Sequence, residues 1–389
     1  MDDKGLKDNK NSINPEEKAG ADKPSFCIGV GNDGLNFANL TLENGKKDIK
    51  ALDLVELKAL MSEMKQPAFR AQQIFKWLHK ECAESFDEMT NLPLTLRKQL
   101  DDNFVIISAA IEKKLISEYD NTVKYLFRLF DGQCIESVLM QYKYGYSLCV
   151  STQAGCKMGC AFCASTKNGC VRNLSASEIL SQVYVAERDT GVRISHIVLM
   201  GIGEPLDNYD NVIKFIRLIT SPDGHNLSVR NITLSTCGVV PGIYALIKEQ
   251  LPITLSVSLH ASNDEKRSAI MPVNRKWPIR EVIKASKAYY EATGRRISFE
   301  YALVKGVNDT KTDADELAVL LKDLNCHINL IPVNEIDKSE LKAPNKENVR
   351  SFQDYLSQKG LNITVRRTLG SDINASCGQL RSSVSTEVE

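Results

Sequence analysis

YSLCVSTQAGCKMGCAFC, residues 146–163, orders the rest of the chain. Its first seven residues read as a strand, which runs straight into a loop carrying three cysteines. Downstream the hydrophobic period alternates between that of a helix and that of a strand. Strands are expected at 146–152, 194–200, 231–236, 253–260, 297–304 and 327–333. Helices are expected at 176–190, 210–220, 241–250, 278–293 and 312–325, with a last one near 348–359 before the strand-like LNITVRRT. Strands alternating with helices of this length form βαβ units around a parallel sheet. Six or so units are too few for an eight-fold barrel. The expected fold is therefore α/β, a partial (β/α)6 barrel over 146–381 with its functional residues in loops at the C-terminal ends of the strands.

Upstream, the pattern divides the chain further. Residues 104–145 alternate (VKYLFRLF, the Asp131-Gly132 turn, CIESVLMQY) and read as a small antiparallel β segment. Residues 48–103 read as a helical accessory domain. One apolar stripe runs through Leu52, Val55, Leu57, Leu60 and Met61, and another through Ile74, Phe75, Trp77 and Leu78. The segment AFRAQQIFKWLHK mixes Arg70, Lys76, His79 and Lys80 with Phe69, Phe75 and Trp77, a composition able to bind RNA by phosphate contact and stacking. Taken alone, it is more simply a packed helix with a solvated polar face. Residues 1–47 are polar and read as a disordered extension with one short ordered piece at Ser25–Val30; 382–389 read as a tail.

Composition narrows the function classes. The 389 residues carry 49 Lys+Arg and 49 Asp+Glu, so a protein that coats nucleic acid along its whole surface is excluded, and any nucleic-acid site is a local patch. No run approaches the ~18–20 apolar residues of a membrane span. MDDKGLKDNKNSINPEEKAG lacks the apolar core of a signal peptide. The expectation is a cytoplasmic protein with no membrane partner, whose 11 cysteines are ligands, reactive thiols or buried hydrophobes before they are disulfides.

Cys156, Cys160 and Cys163 form a C-x3-C-x2-C spacing. Three thiolates in one short loop suit a 4Fe-4S cluster, leaving one iron without a protein ligand and open to a substrate. A structural zinc would need a fourth ligand; Cys170 or His196 is available, though neither sits at finger-like spacing. Leu199-Met-Gly201-Ile-Gly203-Glu204-Pro205 then ends the second strand in a glycine-rich turn, where backbone can approach a ligand closely.

C-x3-C-x-Phe-C after a first barrel strand resembles the radical S-adenosylmethionine (SAM) superfamily. With SLCVSTQAGC, GIGEP, TLSTCGVVP, SVSLHA, INLIPVN and SDINASCGQL, the chain resembles the RlmN/Cfr family of radical SAM RNA methyltransferases from about residue 48 to 381. The pattern is closer to RlmN, which modifies adenine C2, than to Cfr, which modifies C8. The resemblance implies a radical SAM barrel, a 4Fe-4S cluster on Cys156, Cys160 and Cys163, and SAM as cofactor. It implies SAM contacts from Gly203, Glu204, Ser235, Ser258, Leu259, His260 and Asn334. It also implies that Cys377 is methylated by one SAM, and that a radical from a second SAM activates the methyl group for addition to adenine. Cys149 would resolve the adduct through a transient disulfide, and Glu136 would be the proton acceptor. The implied partners are 23S ribosomal RNA, transfer RNA through adenine 37, and an external flavodoxin- or ferredoxin-like electron donor, with the enzyme a monomer.

The bland readings stand beside these. A free cysteine is usually an inert hydrophobe; Cys149 on a strand suits packing, whereas Cys377 follows Arg366-Arg367, a pair able to favour thiolate. Glu136 would ordinarily be solvated, Ser235 and Ser258 paired within the sheet, and His260 a satisfied buried histidine. Cys27, Cys82, Cys134, Cys170, Cys237 and Cys326 are assigned no function. Glu335 after Asn334, and Cys237, depart from many relatives. Arg366-Arg367, Lys342 to Lys346, Lys113-Lys114 and the Phe69–Lys80 helix are candidate phosphate contacts. Two rivals remain: a Cfr-type C8 methyltransferase, and a non-enzymatic, zinc-stabilised RNA-binding protein.

Overall fold

The computed structural model describes residues 45–334 and 340–380. The extension with its Ser25–Val30 piece, Glu335 and the tail lie outside the described residues. Among those described, β1 (Lys47–Asp48) comes first and pairs in parallel with β2 (Phe104–Val105), closing off the helices between them. These are α1 (Leu54–Glu63), α2 (Phe69–His79) and α3 (Leu94–Asn103). Asp53 starts α1 through a capping box, its carboxylate accepting from the Val55 and Glu56 N–H groups while Glu56 reaches back to the Asp53 N–H. Leu57, Leu60 and Met61 are buried as the stripe requires, but Val55, in the first turn, faces solvent. His79 also departs from expectation: it is fully buried, with Nδ1 3.1 Å from the Tyr184 hydroxyl, so it does not belong to a basic face.

Three antiparallel strands follow: β3 (Ala110–Ile116), β4 (Val123–Arg128) and β5 (Cys134–Tyr142). They are antiparallel as read from the sequence, but they do not form a sheet of their own. Only Lys143 and Tyr144 separate β5 from β6 (Gly145–Cys149), so the first barrel strand pairs with its hairpin partner. Beyond β6 a small hairpin, β7 (Gln153–Gly155) with β8 (Cys170–Asn173), brackets the cysteine loop.

Next come α4 (Ala176–Thr190), β9 (Ile194–Leu199), α5 (Tyr209–Ile219), β10 (Ile232–Thr236), α6 (Val240–Lys248) and β11 (Thr254–Ser258). After these come α7 (Asp264–Ile270), α8 (Ile279–Thr293), β12 (Ile297–Leu303), α9 (Lys311–Leu321), β13 (Cys326–Pro332), α10 (Lys346–Gln358) and β14 (Ile363–Val365). One ten-stranded sheet runs β14-β13-β12-β11-β10-β9-β6-β5-β4-β3 without closing, and β6 and β9 through β14 are parallel. The fold is the expected partial barrel. Helix α4 shows why its ends were legible. Ser175 and Glu178 make a capping box, and Gly191 at φ 69° ends the helix in the left-handed region. The hairpin β7–β8 and α7 were not expected, being too short for a period to show.

The barrel strands alternate in a way that shapes the site. Ile197, Leu199, Leu234, Leu255, Val257, Phe299, Ile328 and Leu330 are buried. Their alternates His196, Thr233, Ser235, Thr254, Ser258, Ser298, His327 and Asn329 are only half-buried. The inner wall of this open barrel is thus polar and accessible, unlike the packed apolar interior of a closed eight-fold barrel.

Candidate active site

The cavity at the C-terminal ends of the strands encloses about 930 Å³ of space not filled by protein, part of it open to solvent. Cys156, Cys160 and Cys163 line it, as do Gly203, Glu204, Ser235, Ser258, His260, Asn334 and Cys377. Ten of the thirteen residues expected at the site therefore share one cavity. The cysteine loop is clamped from three sides. Cys156 N–H donates to the Gly169 carbonyl at 2.8 Å, Ala161 N–H to Ile270 at 2.9 Å, and Ala164 N–H to the Gly378 carbonyl at 2.7 Å. Gly155, at φ 85°, is required where the hairpin closes, because a Cβ there would collide with the Gly169 carbonyl.

Burial, and then charge on neighbouring thiols, pushes the three cysteines upward, Cys156 to about 12. Three thiolates close together in such a place need positive charge, and a 4Fe-4S cluster supplies it. The donor set therefore fits the cluster. Among the described residues, no three His, Cys, Asp or Glu side chains are grouped as ligands of one metal ion.

Glu204 accepts from backbone N–H groups and from the Cys237 and Thr236 side chains. Its Oε2 accepts from Cys237 N–H at 2.7 Å and its Oε1 from Leu206 N–H at 3.0 Å, tying the ends of β9 and β10 together. Burial raises its pKa. Gly203, at φ 106°, sits against Gln153 with no room for a side chain. His260 is held neutral by burial, its pKa lowered to about 3. Its Nδ1 accepts from Ala302 N–H at 2.8 Å, which places the ring proton on Nε2. Phe162 of the cysteine loop packs edge-on to that ring at 4.8 Å. Asn334 donates from Nδ2 to the Cys377 carbonyl at 2.9 Å, and Ser165 Oγ donates to Leu380 at 2.8 Å, so the Cys377 loop is tied to the barrel on both sides.

Cys149 lies below, buried with Val138, Met140, Ile202, Ala375 and Leu380. Ala375 and Leu380 flank Cys377, so this apolar cluster draws the two cysteines' segments together. Burial pushes the Cys149 thiol up to about 12. Besides Cys149, two expected residues do not line the cavity. Leu259, just past the end of β11, has a fully buried side chain, its N–H donating to the Glu300 carbonyl and its carbonyl accepting from Arg267 Nε at 3.0 Å. Glu136 is buried, not solvated, and ion-paired with Lys124 at 2.9 Å; Lys124 also donates to the Asn374 carbonyl at 3.1 Å.

The sequence reading missed two charged groups, Arg267 and Glu300, and did not foresee how Arg366 is partnered. Arg267 is fully buried and gathers the carbonyls of Cys237, Ser258 and Leu259 at 2.7–3.0 Å. Glu300 lines the cavity; its Oε1 accepts from Ser256 and Asn329, and its buried Oε2 has no hydrogen-bond partner. Arg366 Nη1 stands 3.7 Å from that oxygen and 3.4 Å from the Met200 sulfur. The nearby Cys377, then Glu300, favour its charged form. For Glu300 a signal existed, a lone carboxylate at the inward parity of an otherwise apolar strand. Cys237, assigned no function, lines the cavity and supplies the N–H that fixes Glu204.

An open parallel barrel with three thiols on its first loop and a glycine-rich turn ending its second strand defines a radical SAM enzyme. The family model described as the Radical SAM superfamily matches residues 150–355, and the one described as the ribosomal RNA large subunit methyltransferase N-terminal domain matches 47–106. The "Probable dual-specificity RNA methyltransferase RlmN" of Lachnoclostridium phytofermentans is 53% identical over 338 residues, covering 87% of this chain and 95% of the relative. A Clostridium perfringens (strain 13) protein of the same description is 53% identical over 337 residues, covering 87% and 97%. The crystal structure of a radical SAM methyltransferase from Sphaerobacter thermophilus has a TM-score of 0.83 at 42% identity, covering 86% of this chain and 98% of that one. The chain belongs to the RlmN family of radical SAM RNA methyltransferases. That membership sets aside the non-enzymatic zinc protein.

Proposed function

We propose that the protein methylates C2 of one adenine in 23S ribosomal RNA and adenine 37 of transfer RNAs, using two SAM per turnover. The observation that carries this reading is the convergence of Cys377 on the cavity of the cysteine loop, with Cys149 packed against the residues flanking it. Cys156, Cys160 and Cys163 would hold the cluster, which when bound supplies reductive cleavage of SAM to a carbon radical. Gly203, Glu204, Ser235, Ser258, His260 and Asn334 would seat SAM. Since the Glu204 carboxylate is occupied by backbone N–H groups, it serves by shaping the turn, and Asn334 serves by setting the Cys377 loop. Leu259 would contribute only through the strand end that Arg267 gathers.

Cys377 accepts a methyl group from one SAM and then loses a hydrogen atom from that methyl. The resulting methylene bonds to C2, a carbon between two ring nitrogens that is too electron-poor to attack SAM itself. The adduct gives up one electron, which the cluster when bound would take, and its C2 proton. The Cys149 thiolate then attacks the Cys377 sulfur, and the carbon–sulfur bond breaks as the disulfide forms. The electron pair left on the new carbon takes up a proton to give the methyl group on the RNA. An external flavodoxin- or ferredoxin-like donor supplies electrons, and the enzyme works as a monomer. Glu136 is linked to the Cys377 loop through Lys124, and its role as proton acceptor requires that loop to shift when RNA enters. Residues 48–103 serve as the RNA-binding accessory domain, where Phe69 is exposed with Arg70 stacked 4.8 Å from its ring.

Nucleoside mass spectrometry of ribosomal and transfer RNA from cells with and without this protein tests the reading. The expected product is 2-methyladenosine in both pools. Finding 8-methyladenosine alone would instead favour the Cfr-type chemistry.

A further inference from the structure

The cavity opens into a second chamber that shares Cys377, Asn334 and Arg366 with it. The far wall of this chamber carries Tyr142 and Arg367. Tyr142 packs against the apolar cluster that holds Cys149, and its ring stacks on Tyr144, with centroids 5.0 Å apart and planes 5° from parallel. The His196 ring meets Tyr144 edge-on at 4.8 Å. The two rings thus form a continuous aromatic step from the catalytic cysteines to the surface.

Tyr144 remains 62% exposed, so burial does not account for a tyrosine there. Its position is nonetheless fixed. Gly145 is at φ 127°, where a Cβ would collide with the Ser195 side chain, and Ser195 Oγ donates to the Tyr146 carbonyl at 3.1 Å. An exposed aromatic face whose stacked partner Tyr142 shares a chamber with the Arg366 and Arg367 guanidinium groups is what an unpaired nucleotide needs: a surface for the base and cations for the phosphate. Arg367 is exposed and makes no ion pair with any described residue.

We propose that Tyr144, backed by Tyr142, is the stacking platform for the nucleotide next to the target adenine, with Arg366 and Arg367 meeting its phosphate. The proposal rests on the reading of this chain as an RNA methyltransferase acting through Cys377. The platform holds the flanking base while the target base passes Tyr142 to reach Cys377, and it is set before RNA arrives.

The test uses the cluster-loaded protein and a short RNA stem-loop with an unpaired adenine, its neighbour replaced by fluorescent 2-aminopurine. Stacking quenches that fluorophore. Quenching is expected with the unaltered protein and with Tyr144→Phe. It should be lost with Tyr144→Ala and with Tyr144→Leu, which keeps apolar bulk without a π face. Loss of one stacked base should weaken RNA binding about 5- to 150-fold. Unchanged quenching and affinity in both variants would overturn the platform while leaving the enzyme reading intact. If the unaltered protein binds the RNA and methylates no adenine in any RNA offered, the enzyme reading itself fails.

Discussion

The tasks proposed for Cys377 and Cys149 differ, and single substitutions separate them. Cys377→Ala should abolish RNA methylation while iron and sulfide content stay at parent levels, since Cys377 is not among the loop thiols; methylation retained by the variant refutes the carrier role. Cys149→Ala should trap a covalent RNA–protein adduct, seen as a slow band in denaturing gels that ribonuclease shortens; normal turnover with no such band would leave Cys149 as packing. Both cysteines were legible in the sequence because they sit in distinctive strings, SLCVSTQAGC and NASCGQL. Glu300 and Arg366 were not recognised as partners. Which residues of SFEYALV and ITVRR face inward depends on the parity that the barrel's curvature imposes, and 66 residues' difference in number hides a 3.7 Å ion pair. The bland reading of Glu136 as solvated failed because its partner, Lys124, lies on the neighbouring strand, two register pairs away.

At the scale of elements, the ends of β10 and β11 that line the cavity depend on one buried cation. Arg267 on α7 holds the carbonyls of Cys237, Ser258 and Leu259 and the Asn274 side chain. Arg267→Met removes these donors at once and leaves several buried acceptors unsatisfied, at roughly 1–3 kcal/mol each before relaxation. Thermal melting should show a loss of about 3 kcal/mol or more; a variant melting with the parent would mean that water replaces the guanidinium. Helix α7 could not be read from its seven residues, yet it organises the ends of β10 and β11. The long helices were readable because caps and periods agree: Asn345 caps α10 as Ser175 caps α4. The cysteine hairpin escaped because three- and four-residue strands carry no period, and its glycines were legible only as loop residues.

At the scale of the whole molecule, two buried histidines set the response to acid. Burial lowers both His79, under the accessory helices, and His260, in the cavity, from 6.5 to about 3. The unfolded chain titrates near 6.5 and so takes up protons first; this stability is fully present above that pH and is lost as pH falls toward 3. At pH 5 each histidine costs about 2 kcal/mol. Asp48, which burial raises to about 6, acts in the opposite sense. The melting temperature of His79→Gln should therefore fall less between pH 7 and pH 5 than that of the parent; equal slopes would show that His79 is not held neutral. The partial barrel was legible from its strand–helix alternation. Its continuity with β3–β5 was not, because a change from parallel to antiparallel pairing reads as a boundary although a two-residue turn makes it a seam. Among the described residues, the open ten-stranded sheet has two edge strands, each with an outer row of backbone donors and acceptors that pairs with no further strand. Along β14 the row is three residues long. Along β3 it is seven, and there Glu112, Lys113 and Lys114 are spaced by an irregularity between Ile111 and Lys113. Charge and a broken register make that margin a poor template for pairing with another chain.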